Sequence, residues 1–295
     1  MGKKYLFFTS IKIIPYVLAC VMFCYVCFSC KKTNLIPAYI HIDSIGLTTT
    51  YELDGTTSHK ITDAWVYIDG SLQGIYELPA TFPILTTGKH TIHIKPGIKI
   101  NGIAKSRGYY PFFQPYEASI DLQPEETDTV NPIVTYYAEK IQWKEDFDAA
   151  GISLAKFGLS DTNFIQTSEA SNIFEGYGSG IVTFDANYDY LLTVTNDIYD
   201  IPQTQAPVFL EMNYKTDVEF AVGLFAILSN NQTEKLESLI LNPNSSWNKI
   251  YINLTGVANM TSNTTGFRVY FESIKPDSIA TAKILVDNLK LLYSK

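Results

Sequence analysis

The chain has 295 residues, with 22 Lys and Arg against 30 Asp and Glu, a formal net charge of −8 and an aromatic content of 14%. Residues 1–30 hold three of the basic side chains and no acidic one, so the remainder carries 19 basic against 30 acidic groups. That balance excludes nucleic acid as a partner. Cys20, Cys24, Cys27 and Cys30 are its only cysteines, so disulfides, thiol nucleophiles and cysteine metal sites are excluded from everything beyond residue 30.

Lys3 and Lys4 precede an apolar run from Ile13 to Phe28, which is followed by small Ser29, then Cys30 and polar Lys31, Lys32, Thr33 and Asn34. This is the layout of an export signal. It resembles a bacterial lipoprotein signal peptide, and the resemblance implies that residues 1–30 are a signal ending at a lipidated Cys30. The lipid would hold the protein to the outer membrane, on the periplasmic or the surface face. An uncleaved membrane helix is the alternative, and Lys12 and Pro15 weigh against it. Residues 31–38 have no periodicity and read as a tether.

Beyond the tether, Tyr, Phe, Ile, Val and Thr favour strands. No segment carries a long helical apolar period, so the fold class expected is all-β, with two β-sandwich domains at 39–140 and 141–295. In the first, Tyr39–Asp43 alternates, Ala64–Asp69 runs into Gly70 as a hairpin, and Pro79 and Pro83 bracket a loop. His90–Ile94 alternates and stops at Pro96-Gly97, and Tyr116–Leu122 is a further strand. The pieces Val66–Gly70, Gly74 and Gly88–Ile94 resemble the PEGA-type β-sandwich module. That implies a small binding or spacer domain.

The second domain opens at Gln142–Asp148. Val208, Leu210, Met212 and Tyr214 alternate with Phe209, Glu211, Asn213 and Lys215, and Phe267, Val269 and Phe271 alternate with Arg268, Tyr270 and Glu272. Glu145–Asp148, Tyr177–Gly180, Trp247–Leu254 and Ala282–Leu292 together resemble the galactose-binding-like jelly roll of many carbohydrate-binding modules. The resemblance implies a fold that hosts sugar-binding, partner-binding and structural modules alike. It also implies a structural calcium held by Glu145 and Asp287, with a hydrogen-bonded carboxylate capping a neighbouring loop as the alternative.

Other constellations are sparse. His90 and His93 point to opposite faces of a strand, which argues against a chelate, and the second domain contains no histidine to build a Ser-His-Asp machine. Asp185, Asp189, Asp197 and Asp200 crowd Tyr188, Tyr190 and Tyr199, either as turn chemistry or as a carboxylate pair for glycoside hydrolysis. Tyr109, Tyr110, Phe112, Phe113 and Tyr116 form an irregular aromatic loop. Exposed, it docks a partner; buried, it seals one domain against the other. Trp247 and Tyr251 lie opposite Ile250 and Ile252, and with Tyr188 they are candidates for stacking on a sugar ring. Three Asp-Ser/Thr-apolar triplets, at Asp43, Asp128 and Asp277, match an O-glycosylation motif of some exporting bacteria.

The expectation is therefore a non-catalytic outer-membrane lipoprotein serving as an accessory or docking subunit of an envelope protein complex. A glycan-binding lipoprotein that uses the jelly roll is the alternative, and a carboxylate hydrolase the third reading.

Overall fold

A computed structural model describes residues 36–295. Cys30, its expected lipid and most of the tether lie outside the described residues. The architecture is all-β.

The first sandwich contains β1 (Ala38–Ile42), β2 (Gly46–Leu47), a single helical turn α1 (Tyr51–Asp54), β3 (Asp63–Ile68), β4 (Ser71–Glu77), β5 (Ala80–Ile84), β6 (Gly88–Lys99), β7 (Arg107–Tyr109), β8 (Tyr116–Leu122), β9 (Thr127–Thr129) and β10 (Ile133–Val134). One sheet runs β4-β3-β6-β7, with β8 also on β6; β5-β1-β9 forms a second, and β2 pairs with β10. Asp69 and Gly70 take φ of 48° and 78°, the two positive angles a tight hairpin turn between β3 and β4 requires.

Two prolines are placed differently from the sequence reading. Pro83 is not in a loop but inside β5, opposite Tyr39, and β5 is a sheet edge where a missing N–H costs no ladder bond. Pro96 does not end a strand either. β6 pairs with β8 as far as Ile94 and with β7 from Gly97 onward, so Pro96 falls in the gap between those two partners.

The second sandwich contains β11 (Ile141–Glu145), β12 (Leu154–Lys156), β13 (Ile165–Thr167), β14 (Ser179–Phe184), β15 (Tyr190–Thr195), β16 (Val208–Thr216), β17 (Phe220–Leu228), β18 (Thr233–Leu241), β19 (Asn244–Asn253), the turn α2 (Thr255–Ala258), β20 (Thr264–Ile274) and β21 (Ala282–Tyr293). A sheet ordered β13-β14-β21-β16-β19, with β11 on β21, faces a sheet ordered β12-β15-β20-β17-β18. Val222 and Leu224 from one sheet and Leu210, Met212 and Ile252 from the other fill the space between them.

Strand β21 is central, and its phase changes midway. Ala282, Ile284 and Val286 point into the core; beyond Asn288, whose φ is 49°, Leu289, Leu291 and Tyr293 do. The pairing with β16 slips by one residue at the same place, from Glu211–Lys290 to Asn213–Asp287. Asn288 is thus the extra residue of a β-bulge, and asparagine tolerates its left-handed backbone. Strict alternation puts Asp287 on the face of Leu289 and Leu291; the bulge moves it to the opposite face.

The outer face of the six-stranded sheet is covered. Phe209, Tyr251 and Leu292 from β16, β19 and β21 belong to the same apolar cluster as Tyr110, Phe112, Phe113 and Tyr136 of the first sandwich. Tyr110 stands edge-on to Phe209 at 5.3 Å and lies 4.9 Å from Tyr251. The alternation of β16 suits a strand with one wet face, but Phe209, Glu211 and Asn213 on its second face are buried too. Each such aromatic contributes roughly 1.5–3 kcal/mol by burial, which holds the two sandwiches together.

Candidate functional site: a cleft beside the sandwich interface

Charged groups survive inside that interface because they satisfy one another. Glu211, wholly buried, accepts from the Tyr110 hydroxyl at 2.7 Å and from the Tyr136 hydroxyl at 3.0 Å, and the Lys249 ammonium lies 3.0 Å from its other oxygen. Burial opposes its ionisation, but Lys249, Lys290 and the Tyr110 hydroxyl outweigh that and hold its carboxyl below the ordinary value. Lys290 donates to the Thr56 carbonyl at 3.1 Å, and burial brings it down to about 8.

This places the aromatic loop. Tyr110, Phe112 and Phe113 are buried against the second sandwich, so no external partner reaches them; Tyr109 is exposed and Tyr116 half-buried. The sealing alternative describes the three central residues. Tyr251 is buried as well, its hydroxyl accepting from the Lys60 amide at 2.9 Å, so it offers no face to a sugar. Trp247 is half-buried with its ring 5.4 Å from Phe174. Tyr188 is exposed, in a turn where Asp185 accepts from the amides of Asn187 and Tyr188. Of Tyr188, Trp247 and Tyr251, only Tyr188 presents an exposed ring.

Glu145 and Asp287 have separate partners. Glu145 accepts from the Phe147 amide at 3.0 Å and from both the amide and the hydroxyl of Ser153 at 2.6 Å, so it closes the intervening loop. Asp287 accepts from the Ser179 hydroxyl and the Asn288 amide, each at 2.7 Å. Burial nevertheless pushes its carboxyl up to about 7, against those bonds. Among the described residues, no three His, Cys, Asp or Glu side chains are grouped to hold a metal ion.

The loop that Glu145 closes forms one wall of an open cleft of about 910 Å³, lined by Asp146, Asp148, Ile152, Asn196, Tyr177 and, from the first sandwich, Tyr51. Phe147 plugs the core below with a φ of 58° and leaves Asp146 and Asp148 on the open side. Asp148 Oδ1 accepts from the Tyr177 and Gly178 amides at 2.6 and 2.9 Å. Gly176, at φ 71°, permits this approach, since a Cβ there would overlap the Asp148 carboxylate. The result projects the Tyr177 ring at the rim, 82% exposed.

Tyr51 is fixed from two sides. Its hydroxyl donates to Asp146 Oδ2 at 2.7 Å, and Lys144 donates to the carbonyls of Tyr51 and Glu52 at 2.6 and 2.7 Å with its ammonium 5.3 Å from the Tyr51 ring. The Asp146 hydrogen bond, then burial, pushes the phenol well above its ordinary value, so Tyr51 stays a neutral donor. The sequence reading missed this site because its rings come from segments more than a hundred residues apart. Glu145–Asp148 and Tyr177–Gly180 were read as marks of the jelly roll and not as the two sides of one cleft, and Tyr51 carried no local signal.

No family model matches the sequence, and no curated protein sequence matches it. Solved structures similar to this chain include carbohydrate-binding modules. One, a xylan-binding domain of carbohydrate-binding module family 22, shares 13% identity over 52% of this chain and 96% of that chain, with a TM-score of 0.38. Another is the family 11 carbohydrate-binding module of a cellulosomal cellulase of Clostridium thermocellum, at 16% identity over 52% and 95%, with a TM-score of 0.37. A third, described as a carbohydrate-binding module of the β-sandwich superfamily with promiscuous specificity, shares 11% identity over 78% and 84%, with a TM-score of 0.38.

Proposed function

We propose that this chain is a non-catalytic glycan-binding protein, held to the outer membrane through a lipid on Cys30, that takes a neutral sugar chain in the Tyr51–Tyr177 cleft. The observation that carries this reading is the pairing of two tyrosine rings at the walls of an open cleft with a fixed carboxylate between them. Ring faces suit the apolar C–H faces of a sugar, and a carboxylate oxygen accepts from its hydroxyls. Uncharged sugars are favoured because Asp146 and Asp148 repel anionic ones.

The carboxylates support binding over hydrolysis. Both oxygens of Glu145 and both of Asp146 accept from protein donors, as does Oδ1 of Asp148. Among these oxygens only Asp148 Oδ2 lacks a protein donor among the described residues, which leaves it to accept from a sugar hydroxyl, while Glu145 is engaged in closing its own loop. The docking-subunit reading drew on the aromatic loop, and that loop is occupied within the chain.

Affinity electrophoresis and calorimetry with soluble xylan and mixed-linkage glucan test the proposal. Tyr177→Ala is expected to weaken binding about tenfold or more while leaving the melting temperature unchanged, because the ring is exposed. Equal binding by Tyr177→Ala and the parent, or no binding by either, overturns the proposal.

A further inference from the structure

A second constellation lies on the interface away from the cleft. A small cavity of about 50 Å³ is lined from the first sandwich by Lys60 and Lys99 and from the second by Asn248, Lys249 and Tyr251. It clears the roughly 10–15 Å³ that a single enclosed water requires, and with a water's share of liquid volume at about 30 Å³ it admits one or two waters or a small group that displaces them. Three lysines line it, in a chain whose net charge is −8.

Their partners do not balance them. Lys99 pairs with Glu77 at 3.1 Å and Lys249 with Glu211 at 3.0 Å, but Lys60 is in none of the six ion pairs among the described residues. Lys60 instead donates to the Asn248 side-chain carbonyl at 2.5 Å. Lys249 has a side chain only 3% exposed, and its ammonium, though in ion-pair contact with Glu211, makes no aligned hydrogen bond. An ammonium carries three N–H donors, so Lys249 can serve a further acceptor beside Glu211. Tyr251 adds another donor: its oxygen accepts from the Lys60 amide, and no acceptor takes its own hydrogen among the described residues. Burial and the charge of Lys99 both lower the affinity of Lys60 for its proton, the repulsion that an anion between them would relieve.

We propose that this cavity is an oxyanion site, binding a sulfate or phosphate group between Lys60, Lys99 and Lys249, with the Tyr251 hydroxyl as a further donor. The group is either a free anion or an ester carried by a glycan; both present the same tetrahedral oxygens. Because the lysines come from both sandwiches, the bound anion links them.

The test is thermal unfolding and calorimetry of the full-length protein in mild detergent, titrated with sodium sulfate and sodium phosphate at ionic strength matched by sodium chloride. Saturable stabilisation by sulfate or phosphate is expected, with Lys60→Gln weakening affinity about tenfold by removing one charge-assisted contact. Lys99→Gln is a second, independent variant at the cavity mouth. Lys95→Gln, whose parent ammonium sits between the Tyr67 and Tyr109 rings, is the control and should leave binding unchanged. A sulfated oligosaccharide that binds more tightly than free sulfate, when its unsulfated form does not compete, assigns the ester; equal affinity assigns the free anion. Stabilisation that never saturates, or that is identical in the parent, Lys60→Gln and Lys99→Gln, overturns the site, because sulfate also stabilises proteins by exclusion from their surfaces.

Discussion

The chain builds a tyrosine, a carboxylate and a lysine together twice, on either side of β21, and uses them in opposite ways. At Glu211 the carboxylate accepts from Tyr110 and Tyr136, and Lys249 lies beside it with water excluded. At Asp146 the same groups recur as Tyr51 and Lys144, beside an open cleft. Lys144 and Lys290 are register partners on β11 and β21, so the two constellations lie side by side. Cover separates them more than residue type does: the first sandwich lies over Glu211 and leaves the Asp146 side open. The closed set welds two bodies, and the open one presents fixed rings and carboxylates to a ligand.

Removal of the buried carboxylate has the largest expected effect. Glu211→Ala leaves Lys249 and Lys290 without their counter-charge and is expected to cost about 3–5 kcal/mol, with the two sandwiches unfolding in separate steps. Chemical denaturation followed by both fluorescence and circular dichroism measures this, and one coincident transition of undiminished stability would contradict it.

Asp287 gives the next largest effect. Its folded carboxyl is raised to about 7 from an ordinary value of 3.8, so the native state holds a proton that the unfolded chain releases between those limits. This contribution to stability is fully present below about pH 4 and is lost as pH rises through 7. Asp287→Asn is expected to remove that loss, stabilising the protein at pH 8 by at most about 4 kcal/mol, at about 1.4 kcal/mol per pH unit, with little change at pH 4. Denaturation at the two pH values compares the variant with its parent.

Lys290→Met tests the same interface more gently. It removes the buried cation and leaves Glu211 paired with Lys249, so stability should change by less than about 1 kcal/mol or rise. A loss as large as that of Glu211→Ala would mean that Lys290, not Lys249, is the counter-charge. Smallest of all, Tyr51→Phe deletes the bond to Asp146 at the cleft and keeps the ring. It should leave stability within about 0.5 kcal/mol and weaken glycan binding a few-fold, read by calorimetry.

Much of the fold is written in local alternation. Phe267, Val269 and Phe271 face the core as their period demands, and β8 spans Tyr116–Leu122 as read. The failures share a cause, since each depends on what lies beside the strand and not on the strand itself. Pro83 is tolerated because β5 is an edge, and Pro96 because β6 changes partner there. The reversal at Asn288 is one inserted residue, and an Asp-Asn pair within an apolar strand was its only hint. Glu211 in an alternating strand reads as solvent-facing until another sandwich is laid over it. The cleft was illegible for the same reason: Tyr51 and Tyr177 meet only once β11 has paired with β21.

The most direct test of the account maps the glycan itself. Backbone amide chemical shifts would be followed by NMR as a neutral xylan or mixed-linkage glucan hexasaccharide is titrated into the protein. Saturable shifts are expected at Tyr177, Gly178, Ser153 and Tyr51, with none around Tyr188 or Trp247. Shifts confined to the Tyr188 turn or the Trp247 strand, or no saturable shift at millimolar sugar, would contradict it.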